Sequence, residues 1–184
     1  MENSVEVVFG MSKMGKTYFL NQQAAEYDRV IFVDPMSQFR DGLIFRTMDD
    51  LLQYFERYNP DKFRVICRFE ETDEDFEQTE SLLKLTKKLK DVYLVIDEVD
   101  KISREGAVSK TLWQIINYYR HDGISLICCA RRPARVSRDL TGNADRIVCF
   151  KVQEPNDLKY LAEFGFKEND LRSLAKYEYV TTSG

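Results

Sequence analysis

The segment that most constrains the fold of this chain is residues 10–17, GMSKMGKT, which has the spacing G-x-x-x-x-G-K-T. A β-branched run at residues 5–9 precedes it, and a helical pattern over residues 16–27 follows it. In such a loop successive backbone N–H groups can turn inward around a phosphate, because the glycines place no side chain in the way. The dipole of the following helix adds to the attraction. The segment therefore predicts a phosphate-binding loop between a first strand and a first helix.

The whole loop is a candidate nucleotide site. Lys16 is expected to reach the β- and γ-phosphates, and the Thr17 hydroxyl to ligate Mg²⁺. Lys13 either touches phosphate or stays solvated. ATP is the expected nucleotide, although no pocket that would select ATP over GTP is legible. The predicted binding residues are Gly10, Met11, Ser12, Lys13, Met14, Gly15, Lys16 and Thr17.

A second acidic motif follows the apolar stretch at residues 92–96, where the chain reads VYLVIDEVD. Acidic side chains at the carboxyl end of a buried strand face the crevice in which α/β proteins bind ligands. Asp97 is predicted to hold Mg²⁺, and Glu98 to orient and polarise the attacking water. Because kinases and GTPases with this loop usually lack the second acid, Glu98 points to an ATPase.

Short apolar runs alternate with longer helical patterns along the whole chain, which predicts a mainly parallel sheet covered by helices on both faces. The expected fold class is therefore α/β, in one domain over residues 1–184. With the glycine-rich loop and the Asp97-Glu98 pair, the chain resembles a P-loop NTPase three-layer sandwich of the RecA/ASCE-like type. The predicted strands are 5–9, 29–34, 63–67, 92–96, 124–129, 146–150 and 177–181. The predicted helices are 16–27, 48–58, 74–89, 107–119, 156–164 and 167–175.

Composition limits the cellular setting and the class of site. No apolar run approaches the ~20 residues that a membrane span needs, and the first residues do not resemble a signal peptide, so a cytoplasmic location without membrane contact is expected. A single histidine, His121, argues against a zinc site. The four cysteines lie in strand-like stretches and are predicted to be reduced core thiols.

Residues 120–133, RHDGISLICCARRP, resemble the FtsK–HerA superfamily of DNA-pumping ATPases, which show Arg-x-x-Gly-Ile, a strand and then Thr-Gln-Arg-Pro. Residues 140–152, LTGNADRIVCFKV, and the pair Asp34-Pro35 are similar to the same family. A bare core of this size looks most like a viral genome-packaging ATPase. The resemblance implies an ATP-driven motor in a homo-oligomeric ring that moves double-stranded DNA, with a capsid portal as a further partner and the host cytoplasm as its location.

The resemblance also implies a role for two arginines. Arg120 matches the arginine that reaches the γ-phosphate bound by a neighbouring subunit. Its position is equally explained by the favourable charge of an arginine at a helix C-terminus. Arg131 stands where the family has a glutamine, so it could contact phosphate, act as a second finger or contact DNA. Arg132 is a further alternative for the finger.

A DNA motor must hold the phosphate backbone without reading bases. Basic residues after the acidic pair and after the fifth predicted strand are the candidates, and each is equally explained as a solvated surface charge. They are Lys101, Arg104, Lys110, Arg132, Arg135 and Arg138.

Two other functions remain open from the sequence. One is a P-loop ATPase of a secretion, assembly or other non-packaging DNA-transfer system. The other is a non-catalytic nucleotide-binding protein, against which the intact set of Lys16, Asp97 and Glu98 argues.

Overall fold

The structure is a computed structural model that describes residues 3–71, 76–104, 107–118 and 122–182. The strands in this part of the chain are β1 (Val5–Phe9), β2 (Arg29–Val33), β3 (Leu43–Phe45), β4 (Phe63–Cys67), β5 (Tyr93–Ile96), β6 (Ser103–Arg104), β7 (Ala107–Val108), β8 (Ser125–Ala130), β9 (Arg146–Cys149) and β10 (Val180–Thr181). The helices are α1 (Lys16–Ala24), α2 (Met48–Tyr58), α3 (Glu77–Leu89), α4 (Lys110–Tyr118), α5 (Arg138–Gly142), α6 (Pro155–Ala162) and α7 (Glu168–Ser173).

One twisted sheet forms the centre, with the strand order β10-β9-β1-β8-β5-β2-β4-β3. All neighbouring pairs from β9 to β3 are parallel, whereas β10 runs antiparallel to β9. The carboxyl ends of the parallel strands therefore lie along one edge of the sheet. Strand β8 lies between β1 and β5, so the strand before the glycine-rich loop and the strand before the acidic pair are not neighbours.

Apolar residues fill both faces of the sheet, because successive side chains of a strand point to opposite sides. On one face Phe19 and Leu20 of α1 join a buried cluster with Val8 and Phe32. A larger cluster lies on the other face, where α2, α3, α4 and α6 contribute buried leucines. The predicted three-layer α/β fold is confirmed.

Several predicted boundaries differ from the structure. The helix predicted over 107–119 begins only at Lys110, because residues 107–108 pair antiparallel with 103–104. Ser109 sets the start of α4, since its Oγ accepts a hydrogen bond from the N–H of Leu112 at 3.2 Å. Helix α1 ends at Ala24 rather than residue 27. The first residues predicted for α3, 74 and 75, and position 119 of α4 lie outside the described residues.

The edges of the sheet were predicted least well. Strand β3 was missed, because its three residues are too short for a periodic pattern and two of them are exposed at the edge. The last strand is shorter than 177–181 and runs antiparallel. The four cysteines are buried free thiols, as predicted. No helix among the described residues is both long and apolar enough to cross a membrane.

Candidate functional site

The glycine-rich loop connects the end of β1 to the start of α1 and has the backbone that only glycine adopts easily. Gly10 and Gly15 have φ of 145° and 116°. A Cβ atom on Gly10 would lie 2.6 Å from the Cβ atom of Phe150, so a side chain is excluded there by contact as well as by conformation. Lys13, inside the loop, has a left-handed φ of 65°. The backbone of the loop therefore has the turn that the motif requires. That turn is packed against Phe150, which follows strand β9.

Lys16 lies at the centre of this loop. Its Nζ donates hydrogen bonds to the carbonyl oxygens of Gly10, at 2.7 Å, and Met11, at 3.0 Å. The side chain is buried, and the burial lowers the pKa of its ammonium, opposed by the nearby carboxylates of Asp97 and Glu98. A phosphate bound in the loop would offset the cost of burying the Lys16 ammonium group, because its negative charge would pair with that group.

Asp97 follows strand β5 at the edge where the parallel strands end. It is buried, and its Oδ1 accepts a hydrogen bond from the Cys129 thiol at 2.8 Å. Burial raises the pKa of the carboxyl group, and the nearby Glu98 and Asp34 raise it further, while the hydrogen bond and Lys16 act in the opposite direction. The groups around Asp97 therefore do not fully offset the cost of burying its negative charge. A bound cation would offset that cost.

Glu98 has a backbone conformation that is uncommon for a residue other than glycine, with φ of 53° and ψ of 55°. Such conformations persist where the surroundings impose them, and they concentrate at functional sites. The side chain is 20% exposed, and its Oε1 lies 3.2 Å from the Nε of Arg131, which follows strand β8 by one residue. The acid therefore points toward the cleft with a cation beside it.

An ion pair that the sequence did not suggest shapes the next wall of the site. Asp34, at the end of β2, is fully buried, and its Oδ2 lies 2.9 Å from the Nε of Arg68, at the end of β4. The same carboxylate accepts hydrogen bonds from the N–H groups of Gln38, at 2.7 Å, and Phe39, at 3.2 Å. This arrangement holds the loop after β2, so that Met36 and Gln38 line the cleft.

These parts surround one cleft of about 220 Å³. The cleft has positive charge on the loop side and carboxylates on the opposite side. Its lining residues are Ser12, Lys13, Lys16, Thr17, Met36, Gln38, Asp97, Glu98, Cys129, Ala130 and Arg131. A neighbouring cavity of about 50 Å³, which shares Asp97 and Glu98 with the cleft and extends to Lys101, is too small for a nucleotide.

The oxygen donors in the cleft fit magnesium. Mg²⁺ is typically held by one or two protein oxygens together with phosphate oxygens and water, rather than by a cage of side chains. Thr17, which has a hydroxyl, and Asp97, which has a carboxylate, both line this cleft. The described residues contain no group of three or more His, Cys, Asp or Glu that could hold a metal without a substrate.

Of the two arginines expected at the γ-phosphate, only Arg131 lies within the described residues. Arg131 lies in the cleft, about half exposed, with Glu98 as its partner. Arg120 lies outside the described residues, so its role as a finger stays a prediction.

Three of the basic residues predicted to contact DNA lie after strand β8, and two of them form ion pairs within the chain. Arg132 is held by Asp157, at 2.6 Å, and Glu154, at 3.1 Å, and the hydrogen bond that its Nε donates to Asp157 raises the pKa of the guanidinium. Arg138 forms an ion pair with Glu163 at 2.7 Å. Arg135 is exposed. The guanidinium groups of Arg132 and Arg138 are thus engaged within the chain.

The second group of basic residues lies after Glu98. Lys101 belongs to the short 3-10 helix Val99–Lys101, and its N–H donates to the carbonyl oxygen of Glu98 at 3.1 Å. Arg104 is in β6, although its side chain is outside the described part. Lys110 is exposed at the first position of α4. The segment that carries Lys101, Arg104 and Lys110 therefore begins immediately after Glu98.

Comparison with known proteins agrees with this geometry. The sequence model described as "ATPase family associated with various cellular activities (AAA)" matches residues 7–152. A search of curated protein sequences gives no significant match.

Solved structures extend the comparison. The genome packaging NTPase B204 from Sulfolobus turreted icosahedral virus 2, in complex with AMPPCP, has a TM-score of 0.77 at 23% identity, covering 98% of this chain and 92% of that chain. The N-terminal domain of zonular occludens toxin from Neisseria meningitidis has a TM-score of 0.53 at 14% identity, covering 80% of this chain and 76% of that chain.

A third structure, the cytoplasmic domain of the Thermomonospora curvata Type VII secretion ATPase EccC, has a TM-score of 0.53 at 13% identity, covering 84% of this chain and 20% of that chain. The resemblance predicted from the sequence is confirmed, and at these identities it establishes the fold.

Proposed function

Because the chain belongs to the ATPase family associated with various cellular activities, we propose that it hydrolyses ATP to translocate double-stranded DNA, and that it packages a viral genome into a capsid. The single observation that carries the proposal is the cleft in which a phosphate loop faces a buried aspartate and an adjacent glutamate. In this proposal the chain acts as one domain, residues 1–184, within a homo-oligomeric ring in the cytoplasm of the host cell.

The loop binds the nucleotide by its phosphates. The N–H groups between Gly10 and Thr17 surround the β-phosphate, and the N-terminus of α1 contributes its positive dipole end. Lys16 exchanges the carbonyl oxygens of Gly10 and Met11 for phosphate oxygens. This exchange places a buried cation against the anionic charge that develops on the β- and γ-phosphates.

Thr17 and Asp97 would hold Mg²⁺ in this cleft. The bound ion would neutralise phosphate charge and orient the β- and γ-phosphate oxygens. The thiol of Cys129 positions the Asp97 carboxylate through its hydrogen bond. Burial of both groups limits the number of conformations that the carboxylate adopts.

Glu98 activates the water for hydrolysis. The water oxygen attacks the γ-phosphorus while the bond from that phosphorus to the β,γ-bridging oxygen breaks, which gives ADP and phosphate. Glu98 accepts the proton that the water loses. Arg131, whose Nε lies 3.2 Å from Glu98, pairs in this proposal with the γ-phosphate as charge develops there. Arg120 would supply a second cation from the neighbouring subunit, so that hydrolysis depends on ring assembly.

The fold likeness to a genome packaging NTPase over 98% of this chain supports the DNA-motor part of the proposal. Lys101, Arg104 and Lys110 are the preferred DNA contacts, because the segment that carries them begins at Glu98. A change in Glu98 during hydrolysis would then move these cations. Arg135 is a further candidate, and a capsid portal is the expected docking partner of the ring.

A secretion or assembly ATPase is the second candidate. The fold likeness to the secretion ATPase EccC favours it, although that likeness covers 84% of this chain at a lower TM-score. Such an ATPase would not respond to DNA.

The test is steady-state ATP hydrolysis with and without long duplex DNA, measured across protein concentration. We expect DNA to stimulate hydrolysis and the activity per subunit to rise steeply with concentration. Glu98→Gln should bind ATP normally but hydrolyse it at least about 100-fold more slowly. Glu56→Gln, which makes the same change at an exposed position of α2, is the matched control. Activity that ignores DNA would contradict translocation, and a fully active Glu98→Gln variant would contradict the assignment of the base.

A further inference from the structure

Two exposed tyrosines stand beside the phosphate loop and take no part in the chemistry described above. Tyr18 is the first residue after Thr17, and Tyr177 comes from the segment between α7 and β10. Their ring centroids are 5.7 Å apart with an interplanar angle of 69°, and the residues are 59% and 54% exposed. We call these two residues the tyrosine pair. Large aromatic side chains with this much exposure at a binding loop are candidates for ligand contact.

The Tyr177 side of the pair is fixed to the loop. Its N–H donates a hydrogen bond to the carbonyl oxygen of Met14 at 2.8 Å. A Cβ atom on Gly15 would lie 2.7 Å from Cδ1 of the Tyr177 ring, so the second glycine of the motif is needed for this approach. Tyr177 also has a left-handed φ of 71°, which is costly for an aromatic residue and indicates that its surroundings impose the position.

The segment around Tyr177 packs against the rest of the chain through Tyr179. Tyr179 packs against Phe19 and Phe150, with ring centroids 5.1 Å and 5.4 Å away. The Nζ of Lys176 lies 4.7 Å from the centre of the Tyr177 ring. The tyrosine pair is therefore a built surface rather than a loose end of the chain.

The direction of the bound nucleotide brings its base to this surface. A nucleoside triphosphate is a linear chain of base, ribose and three phosphates. Its γ-phosphate end is fixed by Lys16, Asp97 and Glu98, which line the cleft on one side of the loop. Asp97 and Glu98 follow β5, two strands from β1 on one side, whereas Tyr177 precedes β10, two strands from β1 on the other side. The ribose and base must leave the loop toward that side.

We propose that the tyrosine pair binds the purine base of the nucleotide by stacking, with Tyr177 as the residue that couples base occupancy to the loop. This inference rests on the proposed function, because it requires a nucleotide in the loop. Stacking on an aromatic ring uses the face of the base and a large polarisable surface. The hydrogen bond from Tyr177 to Met14 then connects the base site with the loop that holds the phosphates.

The test compares ATP with inorganic tripolyphosphate, which has the phosphates but no base. Binding of each is measured by calorimetry, with Mg²⁺ present, for the wild-type chain and for Tyr18→Ala, Tyr177→Ala and Tyr177→Phe. We expect each alanine variant to bind ATP about tenfold more weakly and tripolyphosphate as the wild type does. Tyr177→Phe should keep wild-type ATP affinity, because the ring remains.

Tyr58→Ala is the matched control, since Tyr58 is 60% exposed at the end of α2, and it should leave both affinities unchanged. Wild-type ATP affinity in both tyrosine-to-alanine variants would overturn the inference. An equal loss of ATP and tripolyphosphate would also overturn it, because the tyrosines would then only support the loop. A wild-type chain that binds neither ligand would refute the proposed function and this inference together.

Discussion

The Nε atom of Arg131 lies 3.2 Å from Oε1 of Glu98, so the cation that follows β8 is paired with the acid that follows the neighbouring strand β5. The pair lies within the cleft lined by Lys16 and Asp97. A γ-phosphate would compete with Glu98 for the guanidinium. Binding of ATP would then free the carboxylate to receive a proton from water.

Arg131→Ala should therefore lower the kcat for ATP hydrolysis by about 100-fold while changing ATP affinity by only a few-fold, since a preorganised donor acts mainly on the transition state. Arg131→Gln, which introduces the residue found in the resembling family, should retain more activity than Arg131→Ala, because an amide can position water. Steady-state kinetics and calorimetric ATP titration measure the two effects. An Arg131→Ala variant with a wild-type kcat would refute the role.

Asp97→Asn should stabilise the nucleotide-free protein by about 1 kcal/mol, because it removes a charge that burial disfavours. The pKa of Asp97 is raised above its ordinary value of 3.8. The wild-type chain therefore loses stability as pH rises from that value through the higher folded-state pKa, whereas asparagine does not titrate. The gain should be absent in acid and complete above the folded-state pKa.

Urea unfolding without nucleotide at several pH values measures this gain. Asp61→Asn, at an exposed position, should show little gain at any pH. Equal stability of wild type and Asp97→Asn at neutral pH would contradict the prediction. The same variant should lose magnesium-dependent ATP hydrolysis, which would separate its effect on stability from its effect on activity.

Arg68→Met should destabilise the chain by about 3–5 kcal/mol, because it leaves the fully buried Asp34 carboxylate without its cation. Lys62→Met is the matched control. It removes the surface pair with Asp28, in which both side chains are about two-thirds exposed or more, and should cost less than about 1 kcal/mol. The free energy of unfolding in urea distinguishes the two classes of ion pair. Equal losses in the two variants would show that burial of the Asp34 pair has no special effect.

The joint change of Lys101, Arg104 and Lys110 to alanine should weaken duplex DNA binding equally across sequences and reduce the salt slope by about 1 per lost phosphate contact. Hydrolysis without DNA should persist. A control with Lys62, Lys84 and Lys88 changed to alanine removes the same charge from other surfaces. If the first variant keeps full DNA-stimulated hydrolysis, these residues are not the DNA contacts.

The sequence predicted the parts of the site that are formed by residues close to one another in the chain. Residues 10–17 form a loop between strand and helix because glycine spacing and strand patterning are encoded within about 20 neighbouring residues. Asp97 and Glu98 follow β5 for the same reason. Parallel strands then bring these two segments to one edge of the sheet, which the alternating pattern of strands and helices was enough to predict.

Contacts between distant segments were not predictable from such patterns. Asp34 and Arg68 meet because β2 and β4 are adjacent, and nothing near either residue specifies that neighbour. Tyr177 lies beside Gly15, just before the antiparallel strand β10, although the two residues are far apart in the sequence. The hairpin of β6 and β7 has only two residues in each strand, too few to show a period.

Strand β8 determines how far apart the phosphate loop and the acidic pair of the proposed active site lie. Neighbouring strands are separated by about 4.8 Å, so β1 and β5 are roughly 10 Å apart across β8. In the proposed mechanism, this spacing leaves room for a phosphate and a water molecule between the loop after β1 and the carboxylates after β5. The same strand ends at Ala130, next to Arg131, in the middle of the gap. Strand β8 thus separates the glycine-rich loop from Glu98, and it also carries the cation Arg131 between them.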